Sequence, residues 1–172
     1  MSAPSLYSSR PDQGAEGQHT ISALVQNEAG TLNRLVSLFR RRGFSIASLN
    51  AGDCEQVGFS RLTLVVNGNE QTLRQCVRQL DKLIDVVEVE DLRPANSIRR
   101  ELVLLQVDAV AGQRSEIIEI VQVLGARVAH LDQEKIIIEF MDEPERVERL
   151  IANLSPYGVK EIVRTGTVAI GV

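Results

Sequence analysis

Four times along the chain, apolar residues recur at i, i+3, i+4 and i+7, and the stretches between them are shorter runs bounded by Gly, Asn and Pro. That spacing puts Leu32, Leu35, Val36 and Phe39 on one face of a helix. Leu73, Cys76, Val77 and Leu80 mark a second helix, Ile117, Ile120, Val121 and Leu124 a third, and Val147, Leu150, Ile151 and Leu154 a fourth. The runs between read as strands. Thr20–Gln26 sets Ile21, Ala23 and Val25 on one face. A strand over about Phe44–Cys54 is followed by a turn at Gln56–Gly58, a strand ending near Val66, and one over about Ile84–Glu90. The order then repeats. Leu102–Asp108 is a strand, Arg127–Leu131 and Lys135–Phe140 form a hairpin around Asp132-Gln133-Glu134, and Val159–Arg164 closes the set.

Each half is therefore βαββαβ. The pattern predicts an α+β chain of two ferredoxin-like units in tandem, each a four-stranded antiparallel sheet with two helices on one face. Residues 1–18 are polar, are broken by Pro4, Pro11, Gly14 and Gly17, and read as a mobile tail. The first domain is expected over 19–93, a linker over 94–100, and the second domain over 101–172. Leu102–Leu105 and Ile136–Ile138 are apolar on both faces, so the second face of the sheet needs a cover. Packing of domains or subunits is the simplest one, and a homo-oligomer is expected.

Composition narrows the function classes. Aromatics are 3 % with no Trp, so the cores must be Leu, Ile and Val, and stacking on bases is disfavoured. A net charge of −4 gives no bulk attraction to nucleic acid or anionic lipid. No apolar run reaches the roughly 18–20 residues of a spanning helix, and the tail lacks the apolar centre of a secretion signal. Cys54 and Cys76 have no CxxC spacing, so neither a disulfide framework nor a zinc site is expected, and a reducing compartment fits.

No catalytic constellation emerges. His19 and His130 stand alone at strand ends, without a ligand at metal spacing. Cys76 falls on an apolar stripe, and Cys54 lies between Asp53 and Glu55. There is no phosphate-cradling GxxxxGK[ST] or GxGxxG loop. Arg40, Arg41 and Arg42 fill a last helical turn, where cations complement the helix dipole, and Gly43 suits the stop that follows.

The strongest feature is the first strand-to-helix junction, Gln26-Asn27-Glu28-Ala29-Gly30-Thr31-Leu32. A helix start offers unpaired N–H groups and a partial positive charge to a small carboxylate. Gly30 permits close approach to the backbone, and the Asn27 amide can donate or accept. The same residues also make an ordinary loop with Gly30 or Thr31 as the helix cap.

The order and spacing of several segments resemble the regulatory subunits of acetohydroxyacid (acetolactate) synthase. They are His19–Val25, Asn27–Arg34, Leu38–Leu49, Ser60–Val66, Gln79–Val86, Arg100–Leu104 and Arg164-Thr165-Gly166. The resemblance implies an N-terminal ACT domain, which is a ligand-sensing βαββαβ module, and a C-terminal ferredoxin-like domain. It implies a homodimer through the ACT domains, with valine, leucine or isoleucine bound at the seam. Asn27, Ala29, Gly30, Thr31 and Leu32 of one protomer would face Ser45 and Ile46 of the other. It implies a non-catalytic chain that activates a catalytic subunit and mediates feedback inhibition, with no cofactor of its own. Thiamine diphosphate, Mg and FAD would belong to the catalytic partner. The expected compartment is the cytoplasm, with a plastid as the alternative. One position departs from the pattern: the family carries Asn where this chain has Ser45. If that amide touches a charged ligand group, its loss costs roughly 1.5–3 kcal/mol. A free-standing amino-acid sensor acting on another enzyme or on transcription is the rival reading.

Overall fold

The computed structural model describes residues 17–108, 110 and 112–172. The first unit runs β1 (Gly17–Gln26), α1 (Thr31–Arg42), β2 (Ser45–Asp53), β3 (Phe59–Gly68), α2 (Glu70–Leu80) and β4 (Val86–Leu92). Its strands are antiparallel in the order β2-β3-β1-β4. The second unit runs β5 (Ser97–Asp108), α3 (Arg114–Leu124), β6 (Arg127–Leu131), β7 (Lys135–Asp142), α4 (Pro144–Leu154) and β8 (Val159–Arg164), with the strand order β6-β7-β5-β8. The tandem of ferredoxin-like sandwiches is thus observed.

Boundaries shift where local patterning gave weak signals. The tail expected over 1–18 lies outside the described residues except for Gly17 and Gln18, which begin β1. Of the stretch expected as a linker, Pro94–Asn96 form one 3₁₀ turn and Ser97–Arg100 already belong to β5. They do so because an additional short strand, β9 (Val168–Gly171), pairs with them and satisfies their backbone groups.

Each core lies between a sheet and its two helices. In the first unit Ile21, Ala23, Val25, Leu62, Leu64 and Val66 meet Leu35, Phe39, Leu73, Cys76 and Leu80. In the second, all four residues of the α4 stripe are buried against β5 and β7. The α1 stripe differs from expectation. Its buried residues are Thr31, Leu35, Leu38 and Phe39, while Leu32 and Val36 are 44 % and 43 % exposed. Leu38, outside the i, i+3, i+4, i+7 stripe, is buried in place of Leu32 and Val36, which leaves those two aliphatic side chains on a flank.

The second faces of the two sheets have opposite fates. In β1, Thr20, Ser22 and Leu24 are buried as fully as the core-facing residues. Their cover is the chain's own end. After β8 the backbone crosses the first sheet, and the Asn50 side-chain amide donates to the Thr167 carbonyl at 3.0 Å. Gly166, in the left-handed region at φ 79°, passes so close that a Cβ there would lie 2.6 Å from Ser48 Cβ. The second sheet was also expected to be covered. Within the single chain Leu104, Val163 and Met141 on its far face are 38 %, 52 % and 66 % exposed, which leaves subunit packing as the expected cover.

Candidate functional site

The β1–α1 junction is held from two sides by backbone bonds. Gln26 N–H donates to the Asp85 carbonyl at 2.8 Å and Asn27 N–H to the Gly58 carbonyl at 2.9 Å. Gly30 is the residue that starts α1, with φ 94° and ψ −9°, and no side chain caps the helix. Only a residue without Cβ takes that conformation freely. Thr31 N–H donates to the Glu28 carbonyl at 3.2 Å, and Arg34 N–H to the Gly30 carbonyl at 2.9 Å. The Leu32 and Asn33 N–H groups have no backbone partner among the described residues. The junction therefore presents free donors at the positive end of a twelve-residue helix.

Below those donors is a cavity of about 130 Å³, lined on its apolar side by Val25, Leu32, Ala51 and Leu62 and on its polar side by Asn27 and Gly30. Asn27, Ala29 and Gly30 are exposed. Thr31 is not: it is 4 % exposed, and its hydroxyl accepts from Arg34 Nη2 at 3.3 Å. Arg34 in turn clamps the buried Asp85, with Nε donating to Oδ2 at 2.5 Å and Nη2 to Oδ1 at 2.9 Å. That carboxylate raises the arginine's affinity for its proton. The pair ties α1 to the loop before β4 and fixes how the helix start meets the sheet. Arg34 and Asp85 are 51 residues apart, and no local pattern marks them as partners.

Ser45 and Ile46 are not brought to this cavity within one chain. Ser45 is level with Asn67 and Ile46 with Val66, whereas Gln26 is level with Phe59, at the opposite end of β3. Ser45 is exposed, and its hydroxyl accepts from the Asn67 amide at 3.1 Å. Both residues lie on β2, whose outer edge is unpaired.

The two histidines expected to be solvated at strand ends each meet a polar partner. His19 Nε2 is 3.0 Å from the Gly68 carbonyl and His130 Nε2 is 3.0 Å from Asp132 Oδ2. Burial pushes the Cys76 thiol up to about 11. Among the described residues no three His, Cys, Asp or Glu side chains gather as a metal site, and no helix is long and apolar enough to cross a membrane.

Fold and sequence together define the class. Residues 21–88 match the family described as the AHAS small subunit-like ACT domain, so the first unit is an ACT domain followed by a second ferredoxin-like unit. Residues 100–172 match the family described as the small subunit of acetolactate synthase. The chain is 43 % identical over 152 residues to the acetolactate synthase small subunit of Mycolicibacterium smegmatis, covering 88 % of this chain and 89 % of that one. It is 40 % identical over 152 residues to the probable small subunit of Archaeoglobus fulgidus, covering 88 % and 95 %. The crystal structure of the Thermotoga maritima small subunit superposes with a TM-score of 0.82 at 35 % identity, covering 91 % of this chain and 98 % of that one. The chain belongs to the acetolactate synthase small-subunit family.

Proposed function

We propose that this chain is the regulatory partner of an acetolactate synthase catalytic subunit, which it stimulates and, on binding a branched-chain amino acid, restrains. Thiamine diphosphate, Mg and FAD belong to that partner, and the two proteins meet in the cytoplasm. This chain supplies no reacting group; its residues bind an effector and bias a conformational balance. An effector shifts that balance only by its difference in affinity for the two states.

The observation that carries the reading is the glycine-fronted cavity beside an open strand edge. Its free N–H groups suit a carboxylate, the Asn27 amide suits either end of a zwitterion, and Val25, Leu32 and Leu62 suit a short branched side chain. The cavity is half of a site. An antiparallel pairing of β2 with β2 of a second copy would bring that copy's Ser45 and Ile46 alongside Ala51, which lines the cavity. Leu32 and Val36 are then the flank on which the two α1 helices meet, which accounts for their exposure in one chain. Asn27, Ala29, Gly30, Thr31 and Leu32 of one protomer and Ser45 and Ile46 of the other form the proposed effector site. The ligand-binding domain is assigned to 19–93 and the second domain to 101–172, joined through 94–100.

The test is acetolactate formation by the catalytic subunit with and without this chain, across a valine titration, in wild type and in Gly30→Asp. Asp tolerates a left-handed backbone better than most residues; its Cβ would lie 3.3 Å from Arg34 Nη1, and it sets a negative charge at the proposed place of the ligand carboxylate, so circular dichroism is read alongside to check the fold. Calorimetric affinity for valine should fall more than tenfold while stimulation persists. Unchanged affinity would refute the site, and a wild-type chain that gives no stimulation would refute the regulatory role.

A further inference from the structure

We infer that the outer face of α1, with the α2–β4 loop, is the surface that grips the catalytic subunit, and that it fits an acidic patch with an apolar dimple. The inference rests on the regulatory reading above and names the contact it requires.

The faces of the ACT domain can be accounted for one by one. The far side of its sheet is covered by the C-terminal strap at Gly166 and Thr167. The β2 edge and the Leu32–Val36 flank are assigned to the second copy. What remains broad and open is the helix layer. There α1 carries Arg34, Arg40, Arg41 and Arg42 and no carboxylate, on a chain whose net charge is −4. Arg34 is neutralised by Asp85. Arg40, Arg41 and Arg42 are exposed and have no ion-pair or hydrogen-bond partner among the described residues, and the same holds for Arg78 on α2 and for Lys82.

Of these cations Arg40 and Arg41 line a groove of about 520 Å³ between α1 and the loop, together with Asn33, Arg34, Ser37 and Leu83. Ile84, next in the chain to the groove-lining Leu83, is 89 % exposed. On a helix at 100° per residue, Arg41 projects away from Leu35 and Phe39 and from the Leu32–Val36 flank, while Arg40, one turn after Val36, stands between that flank and the outer face. An exposed aliphatic side chain on the same loop as a groove lined by unpaired cations has the composition of a protein contact, with an anchor to bury and charges to steer. A nucleic acid is disfavoured, since no aromatic side chain stands among the lining residues. The two-fold arrangement proposed for β2 would place two such faces on the same side of the dimer and double the grip.

The experiment titrates the catalytic subunit with the full-length dimer, reading the regulator concentration that gives half-maximal stimulation. Arg40→Glu with Arg41→Glu, and separately Ile84→Asp, should each raise that concentration at least tenfold. Valine affinity and dimer mass should stay as in wild type, and added salt should weaken the wild type far more than the charge-reversed form. Arg40→Lys with Arg41→Lys should restore most of the binding, and circular dichroism checks that each variant is folded; if a reversal misfolds, Arg40→Gln carries the same test. Titrations that superimpose on a stimulating wild type would overturn this surface alone. A wild type that never stimulates would overturn the regulatory reading with it. Cation-dependent binding to duplex DNA or anionic vesicles, with coupling to the catalytic subunit untouched, would overturn the choice of partner.

Discussion

The two halves share an order of elements and differ in what they leave open. Each ties a buried carboxylate to one arginine: Asp85 to Arg34 in the first unit, Glu101 to Arg164 in the second. In the first, the arginine side chain is 45 % exposed and the clamp orients a helix start beside a cavity. In the second it is 30 % exposed, donates at 2.8 Å from both Nε and Nη2 to Glu101, and also holds Glu148. Those bonds hold its proton well above the usual arginine range. The first clamp lies beside the candidate cavity, whereas the second fastens β8 to β5 just before the strap that crosses to the first sheet. A repeated fold carries one clamp beside a cavity and one beside the strap.

Breaking the fastening should have the largest effect. Arg164→Ala leaves Glu101, 4 % exposed, buried without its counter-ion. Removing one member of a buried pair costs about 3–5 kcal/mol. Urea unfolding followed by far-ultraviolet circular dichroism should show a loss of that size. A loss under about 1 kcal/mol would mean that water replaces the arginine, and the contrast between the clamps would fail.

The strap itself comes next. Gly166→Val forces a β-branched side chain to φ 79° and a Cβ to within 2.6 Å of Ser48 Cβ. Strain of this kind costs about 1–3 kcal/mol. Trypsin should then cut after Arg164 faster than in wild type, because the segment no longer lies on the first sheet. An unchanged cleavage rate and midpoint would show that the cover over Thr20, Ser22 and Leu24 comes from elsewhere.

The sequence disclosed those features that repeat locally. Three of the four helical stripes point inward as spaced, because Leu, Ile and Val at i, i+3, i+4 and i+7 have no competing use. On α1 the stripe divides: Leu35 and Phe39 face the core, while Leu32 and Val36 lie on a flank that the single chain leaves exposed. Periodicity cannot separate an inward face from an interface. The short strand Val168–Gly171 escaped notice because its partner, Ser97–Arg100, alternates Ile with polar residues next to a proline turn. The junction from Asn27 to Leu32 was legible, since glycine before a helical stripe marks an open helix start. The Arg34–Asp85 clamp and the contribution of Ala51 were not, because the first joins residues 51 apart in the chain and the second depends on the register of β2 on β3. Ser45 and Ile46 were reached by resemblance, and a single chain keeps them at the far end of the sheet.

The smallest test sets the two helices of the first unit against each other. At α2 the Asn69 side chain accepts from Gln71 N and Thr72 N, each at 3.0 Å, so two of the orphan donors are satisfied. At α1 Gly30 offers no such acceptor. If the uncapped start is kept open for a ligand, the capped one is purely structural, and the two should respond in opposite senses. Asn69→Ala should cost about 1 kcal/mol in urea unfolding and leave the calorimetric affinity for valine unchanged. Saturating valine, which binds only the folded chain, should raise the midpoint of wild type and of Asn69→Ala alike, and should do nothing for Gly30→Asp. If valine stabilised Gly30→Asp as it does the wild type, the open helix start would be an accident of the loop rather than the place where the effector binds.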